Sequence, residues 1–158
     1  MGREEPADPG ELRALPRYQD TIGAVLIGAK EAVLAPLRPV LRKYAVTEPQ
    51  WRVMRIVEDC AADDATGIAE VGSLLPPSVS RILRELEQRK LIVRRSDAGD
   101  RRRAIITLSP TGSVIVRQIS HEMAEILQSH LHPFEAARVE RLIFELRALT
   151  AAFQPGDH

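Results

Sequence analysis

The sequence predicts a mainly α-helical protein with one small β-hairpin, and three observations support this fold class. Apolar residues recur at helical spacing over most of the 158 residues. Two apolar or β-branched stretches, 91–96 and 103–109, are separated by turn-forming residues between Asp97 and Asp100. Prolines stand where helices are expected to begin or end. Several helices and a single hairpin therefore account for the pattern.

The N-terminal part divides into a tail and a long helix. Residues 1–16 hold three prolines and two glycines among many charges, so we expect a disordered tail there. From Tyr18 to Tyr44 the apolar residues share one helical face. Pro36 and Pro39 lie inside this helix, which predicts a kink or break near residues 35–39.

The next helix carries a start signal made by three residues. Thr47 is suited to cap the helix, Pro49 to its first turn, and Gln50 to complete a capping box. The predicted buried stripe of this helix consists of Val53, Met54, Val57 and Cys60. On this interpretation Cys60 is a small buried hydrophobic residue rather than a reactive thiol. A short helix is predicted to follow over about residues 66–72.

A further helix begins at Pro76 and Pro77 and has an apolar and a polar face. The residues predicted to point inward are Val79, Ile82, Leu83, Leu86 and Leu91. The first turn and the outer face hold Ser78, Ser80, Arg81, Arg84 and Glu85. Serine hydroxyls can bond phosphates or base edges, and an arginine can bind guanine in a DNA major groove. The alternative is a surface helix in which the two arginines pair with Glu85 and Glu87.

Charge is unevenly distributed along the chain, although the formal net charge is zero. From Arg81 to Arg103, nine Arg or Lys residues stand against four Asp or Glu residues, a local excess of +5. The remainder must therefore carry −5. Such an asymmetry indicates a polyanionic partner more strongly than the total charge argues against one.

The hairpin tip concentrates that positive charge in three consecutive residues, Arg101, Arg102 and Arg103. A solvated charged turn, which is the alternative interpretation, usually alternates the sign of its charges. A run of guanidinium groups at the tip of a hairpin instead suits a narrow DNA minor groove, where negative potential is concentrated.

Two helices follow the hairpin, and the last of them is predicted to form a dimer interface together with the apolar face of the helix from Tyr18 to Tyr44. Ser109 and Pro110 begin the first of them, Pro133 ends it, and the second runs to about Phe153. In the second helix a heptad seam consists of Val139, Leu142, Leu146, Leu149 and Phe153. We expect a two-fold dimer, the alternative being that these helices pack within one chain.

The order of helix, short helix, outward-facing helix and hairpin is that of a winged helix-turn-helix, and three motifs resemble the MarR family of bacterial transcriptional regulators. The motifs are Gln50-Trp51, Leu86-Glu87-Gln88-Arg89-Lys90-Leu91, and Asp100-Arg101-Arg102 leading to Leu108-Ser109-Pro110-Thr111-Gly112. The resemblance covers about residues 18–150. It departs from the family at Lys90, where Gly is usual, and at Gly72, where Ala is usual.

This resemblance implies that different regions of the chain bind DNA and form the dimer. Residues 46–110 would form the DNA-binding lobe, and residues 17–45 and 111–153 the helical dimerisation region. Arg102 would enter the minor groove, Asp100 would orient an arginine, and the neighbouring arginines would meet phosphates. A dimer with two such lobes implies a pseudo-palindromic operator in double-stranded DNA.

The family also implies an effector, a small aromatic or phenolic acid that releases a repressor from DNA. The candidate pocket residues are Arg38, Trp51, Met54 and His121. The alternative for Trp51 is a core tryptophan. The segment from Leu37 to Arg55 is most similar to the branch that governs homoprotocatechuate and related aromatic-acid breakdown.

Other classes of function lack support in the sequence. No apolar run approaches the roughly 18 residues of a membrane span, and no signal peptide is evident, so a cytoplasmic protein is expected. The four histidines do not form a metal site, and no enzyme motif or cofactor-binding loop is present. The remaining alternatives are a winged-helix module that binds protein instead of DNA, and a peroxide-responsive regulator that uses Cys60.

Overall fold

The computed structural model describes residues 16–60, 62–96, 99 and 104–153. The predicted disordered tail, apart from Pro16, therefore lies outside the described residues, as do Asp100, Arg101, Arg102 and Arg103, which the sequence predicts at the hairpin tip. The chain divides into two units, Met1–Ala35 and Pro36–His158. Among the described helices, none combines the length and the hydropathy needed for a membrane crossing.

The described part of the first unit is a 3₁₀ turn, Tyr18–Asp20, followed by helix α1, Ile22–Leu34. The predicted helix therefore starts four residues later than the apolar pattern suggested. The reason is Thr21, which has extended backbone angles and accepts a hydrogen bond from the Ala24 N–H at 3.2 Å. No residue of α1 is buried.

The predicted break is confirmed as a 3₁₀ turn, Ala35–Leu37, after which helix α2, Arg38–Lys43, begins. Pro39 lies in the first turn of α2, where its missing N–H leaves no intrahelical bond unmade. Three residues of this segment, Leu37, Val40 and Leu41, enter the core.

Three helices form the centre of the second unit: α3, Glu48–Glu58, α4, Ala65–Gly72, and α5, Pro76–Gln88. The capping box predicted for α3 is confirmed, because the Gln50 N–H donates to Thr47 Oγ1 while the Thr47 N–H donates to Gln50 Oε1. Asp64 caps α4 through the Gly67 N–H at 2.8 Å. The short helix thus lies where it was predicted.

The burial predicted for Cys60 is wrong. Its side chain is exposed, whereas Val53, Met54 and Val57 of the same predicted stripe are buried. Helix α3 ends at Glu58, and Cys60 follows with a left-handed φ of 52°, so its side chain no longer continues the helical periodicity.

The hairpin consists of β1, Ile92–Ser96, and β2, Ala104–Leu108, paired antiparallel from Ile92–Leu108 to Ser96–Ala104. The Ile106 N–H also donates to the Asp63 carbonyl at 2.7 Å, which attaches the hairpin to the α3–α4 connection. The last strand pair is Ser96–Ala104, and of the predicted hairpin tip between these strands only Gly99 is among the described residues.

Helices α6, Pro110–Leu131, and α7, Ala136–Phe153, complete the fold. The Ser109 hydroxyl caps α6 as predicted, by accepting from the Gly112 N–H at 3.0 Å. Helices α2, α3, α5 and α6 and both strands share one apolar core with α4. Its most deeply buried side chains are Met54, Ile68, Ile82, Leu83, Leu86, Ile119, Val53, Val79 and Val116.

The two departures from the family pattern are accommodated locally. Lys90 takes the left-handed φ of 58° that Gly would adopt more easily, and the Ser109 hydroxyl donates to its carbonyl at 2.7 Å. Gly72 ends α4, and a Cβ there would stand 3.1 Å from Ile56 Cδ1. The glycine therefore allows α3 and α4 to pack closely, and Arg52 donates to its carbonyl at 2.8 Å.

Candidate nucleic-acid interface

Helix α5 presents a polar surface because its apolar side is taken up by the core. Val79, Ile82, Leu83 and Leu86 are buried as predicted. On the other side Ser80, Arg81 and Arg84 are exposed, and Ser78 is half-buried. The structure thus brings four of the predicted DNA-binding residues onto one outward-facing helix surface.

The start of α5 offers little backbone for an anion. Pro76 and Pro77 occupy its first two positions and have no N–H, while the Val79 N–H already bonds the Leu75 carbonyl at 3.1 Å. The Ser78 N–H is therefore the one donor left in the first turn. Side chains, rather than the helix terminus, must supply most of the contacts at this end.

The two arginines of α5 differ in their surroundings. Arg81 Nη1 donates to Glu85 Oε1 at 2.9 Å, although the Arg81 side chain is 68% exposed. Arg84 has no partner among the described side chains, and Glu87 pairs instead with Arg94 of β1 at 3.2 Å. The alternative in which both arginines are neutralised on the helix therefore holds for Arg81 and not for Arg84.

Gln50 has a second role that its place in the capping box did not reveal. The residue is 6% exposed, and its Nε2 donates to Glu85 Oε2 at 2.9 Å. Arg89 donates to Gln50 Oε1 at 3.4 Å and to the Ala45 carbonyl at 2.8 Å. Because these partners are 35 and 39 residues from Gln50 in sequence, no local pattern could have predicted them.

The candidate effector residues occupy different environments. Met54 is wholly buried in the core, Arg38 is exposed on α2, and His121 is exposed on α6 at 3.7 Å from Glu125. Trp51 is half-buried and packs against the core, as its alternative interpretation expected. The assignment of these four residues to a ligand pocket stays a prediction.

The structure places Arg55 beside Trp51, and the sequence analysis did not select this arginine. The guanidinium carbon of Arg55 lies 5.9 Å from the centroid of the Trp51 ring. Its nitrogens donate to Asp59 at 2.9 Å and to Ser120 at 3.3 Å. The four-residue spacing of Trp51 and Arg55 on one helix was the signal that could have identified the pair.

A three-residue cluster joins the end of α2 to α6. Glu122 Oε1 accepts from Lys43 Nζ at 2.7 Å and from the Tyr44 hydroxyl at 2.5 Å. The hydrogen bond from Lys43, followed by that from Tyr44, lowers the pKa of the Glu122 carboxyl below its usual value. The bonds to Glu122 in turn raise the pKa of Lys43 and the pKa of Tyr44.

Helix α7 carries the predicted seam on its surface. Val139 and Leu149 are half-buried, whereas Leu142 is 59% exposed and Phe153 is 80% exposed. Leu146, Ile143 and Phe144 are exposed as well. No residue of this helix is buried within the protomer.

A cavity of about 690 Å³ opens between the end of α3, the start of α4 and β2. The exposed Cys60 lies at its edge with Glu58, Asp63 and Asp64, and none of the described residues that line it has a basic side chain. In the part of the chain that the structure describes, no group of three or more His, Cys, Asp or Glu side chains is arranged to hold a metal ion.

Comparison with known proteins identifies the family. The MarR family model matches residues 46–104. The HTH-type transcriptional regulator FarR of Neisseria gonorrhoeae is 32% identical over 105 residues, which cover 66% of this chain and 72% of FarR. The chain belongs to the MarR family. The resemblance drawn from the sequence motifs, and the winged-helix fold class with it, is thereby confirmed.

Two further relatives of this MarR-family chain extend over most of its length. The homoprotocatechuate degradative operon repressor of Escherichia coli is 26% identical over 132 residues, 84% of this chain and 89% of the repressor. The crystal structure of NadR in complex with 4-hydroxyphenylacetate is also 26% identical, with a TM-score of 0.75 over 90% of this chain and 99% of NadR. The protein is accordingly a winged-helix transcriptional regulator.

Proposed function

We propose that this MarR-family regulator is a dimeric repressor that binds a pseudo-palindromic operator in double-stranded DNA and is released by a small aromatic or phenolic acid. The observation that carries the DNA-binding part is the surface of α5, which buries four apolar residues and leaves Arg81 and Arg84 facing outward. Because its ligand would be chromosomal DNA, the protein would act in the cytoplasm.

On this proposal α5 lies in the major groove. Ser78 and Ser80 meet phosphates or base edges, and Arg81 and Arg84 bind guanine edges or phosphates. The hairpin tip would place Arg102 in the adjoining minor groove, with Asp100 orienting an arginine and with Arg101 and Arg103 on phosphates. Two such lobes in one dimer would read half-sites about one helical turn apart.

The dimer is supported by helix α7. Its seam of Val139, Leu142, Leu146, Leu149 and Phe153 is apolar, and none of its residues is buried in the protomer. A second copy of the same helix would cover these residues with a matching surface, as a two-fold interface requires.

The effector class is supported by the two relatives that align over most of this chain, and by the pair of Trp51 and Arg55. NadR was crystallised with 4-hydroxyphenylacetate, and the Escherichia coli repressor is named for homoprotocatechuate degradation. In this chain the half-buried Trp51 could flank an aromatic ring, and the Arg55 guanidinium beside it could bind a carboxylate. Arg38, Met54 and His121 remain candidate residues of the same pocket.

The DNA-binding proposal is tested by selecting fragments of bacterial genomic DNA on the purified protein at moderate salt and sequencing those retained. We expect an enriched palindrome, an affinity that falls steeply with salt because phosphates are neutralised, and a dimer by sedimentation. Retention of no DNA, or an affinity independent of salt, would favour the winged-helix module that binds protein.

The effector proposal is tested by titrating 4-hydroxyphenylacetate into the complex of protein and retained DNA. Release should occur with the acid and not with 4-hydroxyphenylethanol, which keeps the phenol and lacks the carboxylate. Arg55→Gln should weaken the response to the acid by about tenfold or more, since a charged hydrogen bond is lost. Equal release by the two compounds would exclude a carboxylate clamp.

A further inference from the structure

We propose that Gln50 is a positioning residue for DNA recognition: through Glu85 it sets the direction in which Arg81 leaves helix α5. The inference rests on the proposed function, because it assumes that Arg81 reads a base pair. It goes further by assigning a role in sequence discrimination to a buried residue of α3 that faces α5 and lies away from the proposed DNA surface.

The buried side-chain amide of Gln50 has one favoured orientation. Its Oε1 accepts from the Thr47 N–H at 3.1 Å and from Arg89 Nη1 at 3.4 Å, so this end of the amide faces donors only. Its Nε2 faces Glu85 Oε2 at 2.9 Å. Reversing the amide would set oxygen against carboxylate and N–H against N–H, and the orientation is therefore unique.

The capping box by itself does not explain a glutamine at this position. Only the side-chain oxygen is used to cap α3, and a glutamate would supply the same oxygen. The distinguishing feature of glutamine is its NH₂ group, and that group donates to Glu85. The amide thus joins the start of α3 to the middle of α5.

The carboxylate of Glu85 uses one oxygen for each neighbour. Oε2 accepts from Gln50, and Oε1 accepts from Arg81 Nη1 at 2.9 Å. An exposed ion pair of this kind contributes little to stability, and the order Arg before Glu is the less favourable one on a helix. Its effect is to select one orientation of a long, exposed side chain.

Arg81 and Arg84 differ in how far their side chains are held in place. Both arginines are exposed on the same helix face, but Arg84 has no partner among the described side chains. Arg81 is already held by a charge-assisted hydrogen bond and loses less rotamer freedom when DNA binds. Arg81 should therefore contact one base pair specifically, whereas the Arg84 side chain can reorient toward different bases or phosphates.

Arg89 completes the arrangement at the end of α5. It donates to the Ala45 carbonyl at 2.8 Å and to the Tyr44 carbonyl at 3.4 Å, as well as to Gln50. These bonds hold the end of α5 on the α2–α3 connection. The amide of Gln50 consequently meets Glu85 at a fixed helix position.

The test compares affinities for the DNA that the wild-type protein retains and for the same DNA with single base-pair changes. Arg81→Ala first identifies the base pair at which discrimination is lost. Gln50→Glu keeps the cap acceptor and removes the donor to Glu85. We expect it to lower discrimination at that base pair by about tenfold or more.

Two further variants make the result independent of folding. Glu85→Met removes both bonds from the surface of α5 while keeping a good helix former, and it should lower discrimination at the same base pair. In Gln50→Glu combined with Arg81→Ala, discrimination should fall no further than in Arg81→Ala, because the two residues act as one unit. Gln88→Glu, which adds the same charge at an exposed position of α5, is the matched control.

Three outcomes would overturn the inference while leaving the proposed function intact. They are a uniform loss of affinity for all DNA sequences in Gln50→Glu, additive losses in the double variant, and an Arg81→Ala protein that discriminates as well as the wild type. If Gln50→Glu does not fold, as judged by circular dichroism, Glu85→Met decides. Failure of the wild-type protein to retain any DNA would instead overturn the proposed function.

Discussion

Helices α5 and α7 are both amphipathic, but only α5 buries its apolar face within the protomer. In α5, Val79, Ile82, Leu83 and Leu86 are all buried inside the protomer. In α7, which is five residues longer, none is buried and Leu142 is 59% exposed. An apolar stripe thus predicts that a helix face will be covered, whereas the element that covers it depends on the rest of the chain.

Charged residues in the apolar seam of α7 should prevent dimerisation. Leu142→Glu combined with Leu146→Glu should raise the dimer dissociation constant by about a thousandfold, since four leucines of the proposed interface become charged in each dimer. Analytical ultracentrifugation measures this constant. Ala137→Glu with Ala148→Glu, on the opposite face of α7 by helical spacing, is the matched control. An unchanged dimer in the seam variant would show that another surface forms the interface.

Alanine in place of glycine should have opposite effects on stability in closely packed and in open parts of the chain. A Cβ at Gly112 would stand 2.0 Å from the Leu91 carbonyl oxygen, so Gly112→Ala should destabilise the protein by about 3 kcal/mol. A Cβ at Gly28 in α1 would meet no described atom within 4 Å beyond the adjoining turns of its own helix, and Gly28→Ala should stabilise the helix by about 1 kcal/mol. Urea denaturation measures both. Destabilisation by Gly28→Ala would indicate that a partner covers this position.

A substitution at the hairpin tip would test whether the basic region binds DNA. Arg102→Ala should lower operator affinity by about 10- to 100-fold and reduce the salt dependence by about one phosphate contact. Arg117→Ala, at an exposed position of α6, removes the same charge and should change the affinity by less than about twofold. Fluorescence anisotropy with the selected DNA at several salt concentrations would measure these values. Equal losses in both variants would mean that only total charge matters.

The cluster of Lys43, Tyr44 and Glu122 predicts a modest dependence of stability on pH. Because the pKa of Glu122 is lowered, its contribution is present above the unfolded value of about 4.3 and is lost as the pH falls through the folded value. The pKa values of Lys43 and Tyr44 are raised, so their contributions are present below about pH 10 and are lost as the pH rises through the folded values.

Glu122→Gln should therefore flatten the acid limb of the curve of stability against pH. Urea midpoints between pH 3 and pH 7 measure that limb. Glu125→Gln, an exposed carboxyl three residues away on the same helix, is the control. An acid limb that is equally steep in the wild type and in Glu122→Gln would show that other carboxyls cause it.

The exposed thiol of Cys60 should have little influence on DNA binding. Cys60→Ser should leave DNA binding and its response to peroxide unchanged, because the described residues that line the cavity beside Cys60 include three carboxylates and no basic side chain. Gel shifts with and without hydrogen peroxide check this. Release of DNA by peroxide in the wild type, absent in Cys60→Ser, would establish the oxidant-responsive alternative.

Features that depend on a few neighbouring residues were predictable from the sequence. The capping box of Thr47 and Gln50, the cap at Ser109 and the break around Pro36 all lie where they were expected. The apolar face of α5 and the hairpin were predictable for the same reason, since helical and strand periodicities are written into adjacent residues. The basic face of α5 followed directly from that periodicity.

Features that depend on distant residues needed the tertiary structure. Cys60 was expected in the core because the helical pattern continues through it, but the backbone turns at that residue and exposes it. Arg55 was overlooked beside Trp51, and the bond between Gln50 and Glu85 joins two helices 35 residues apart in sequence. Local hydrogen bonding and periodicity determined the elements and their inner faces, whereas the packing of α3 against α5 decided which polar side chains meet.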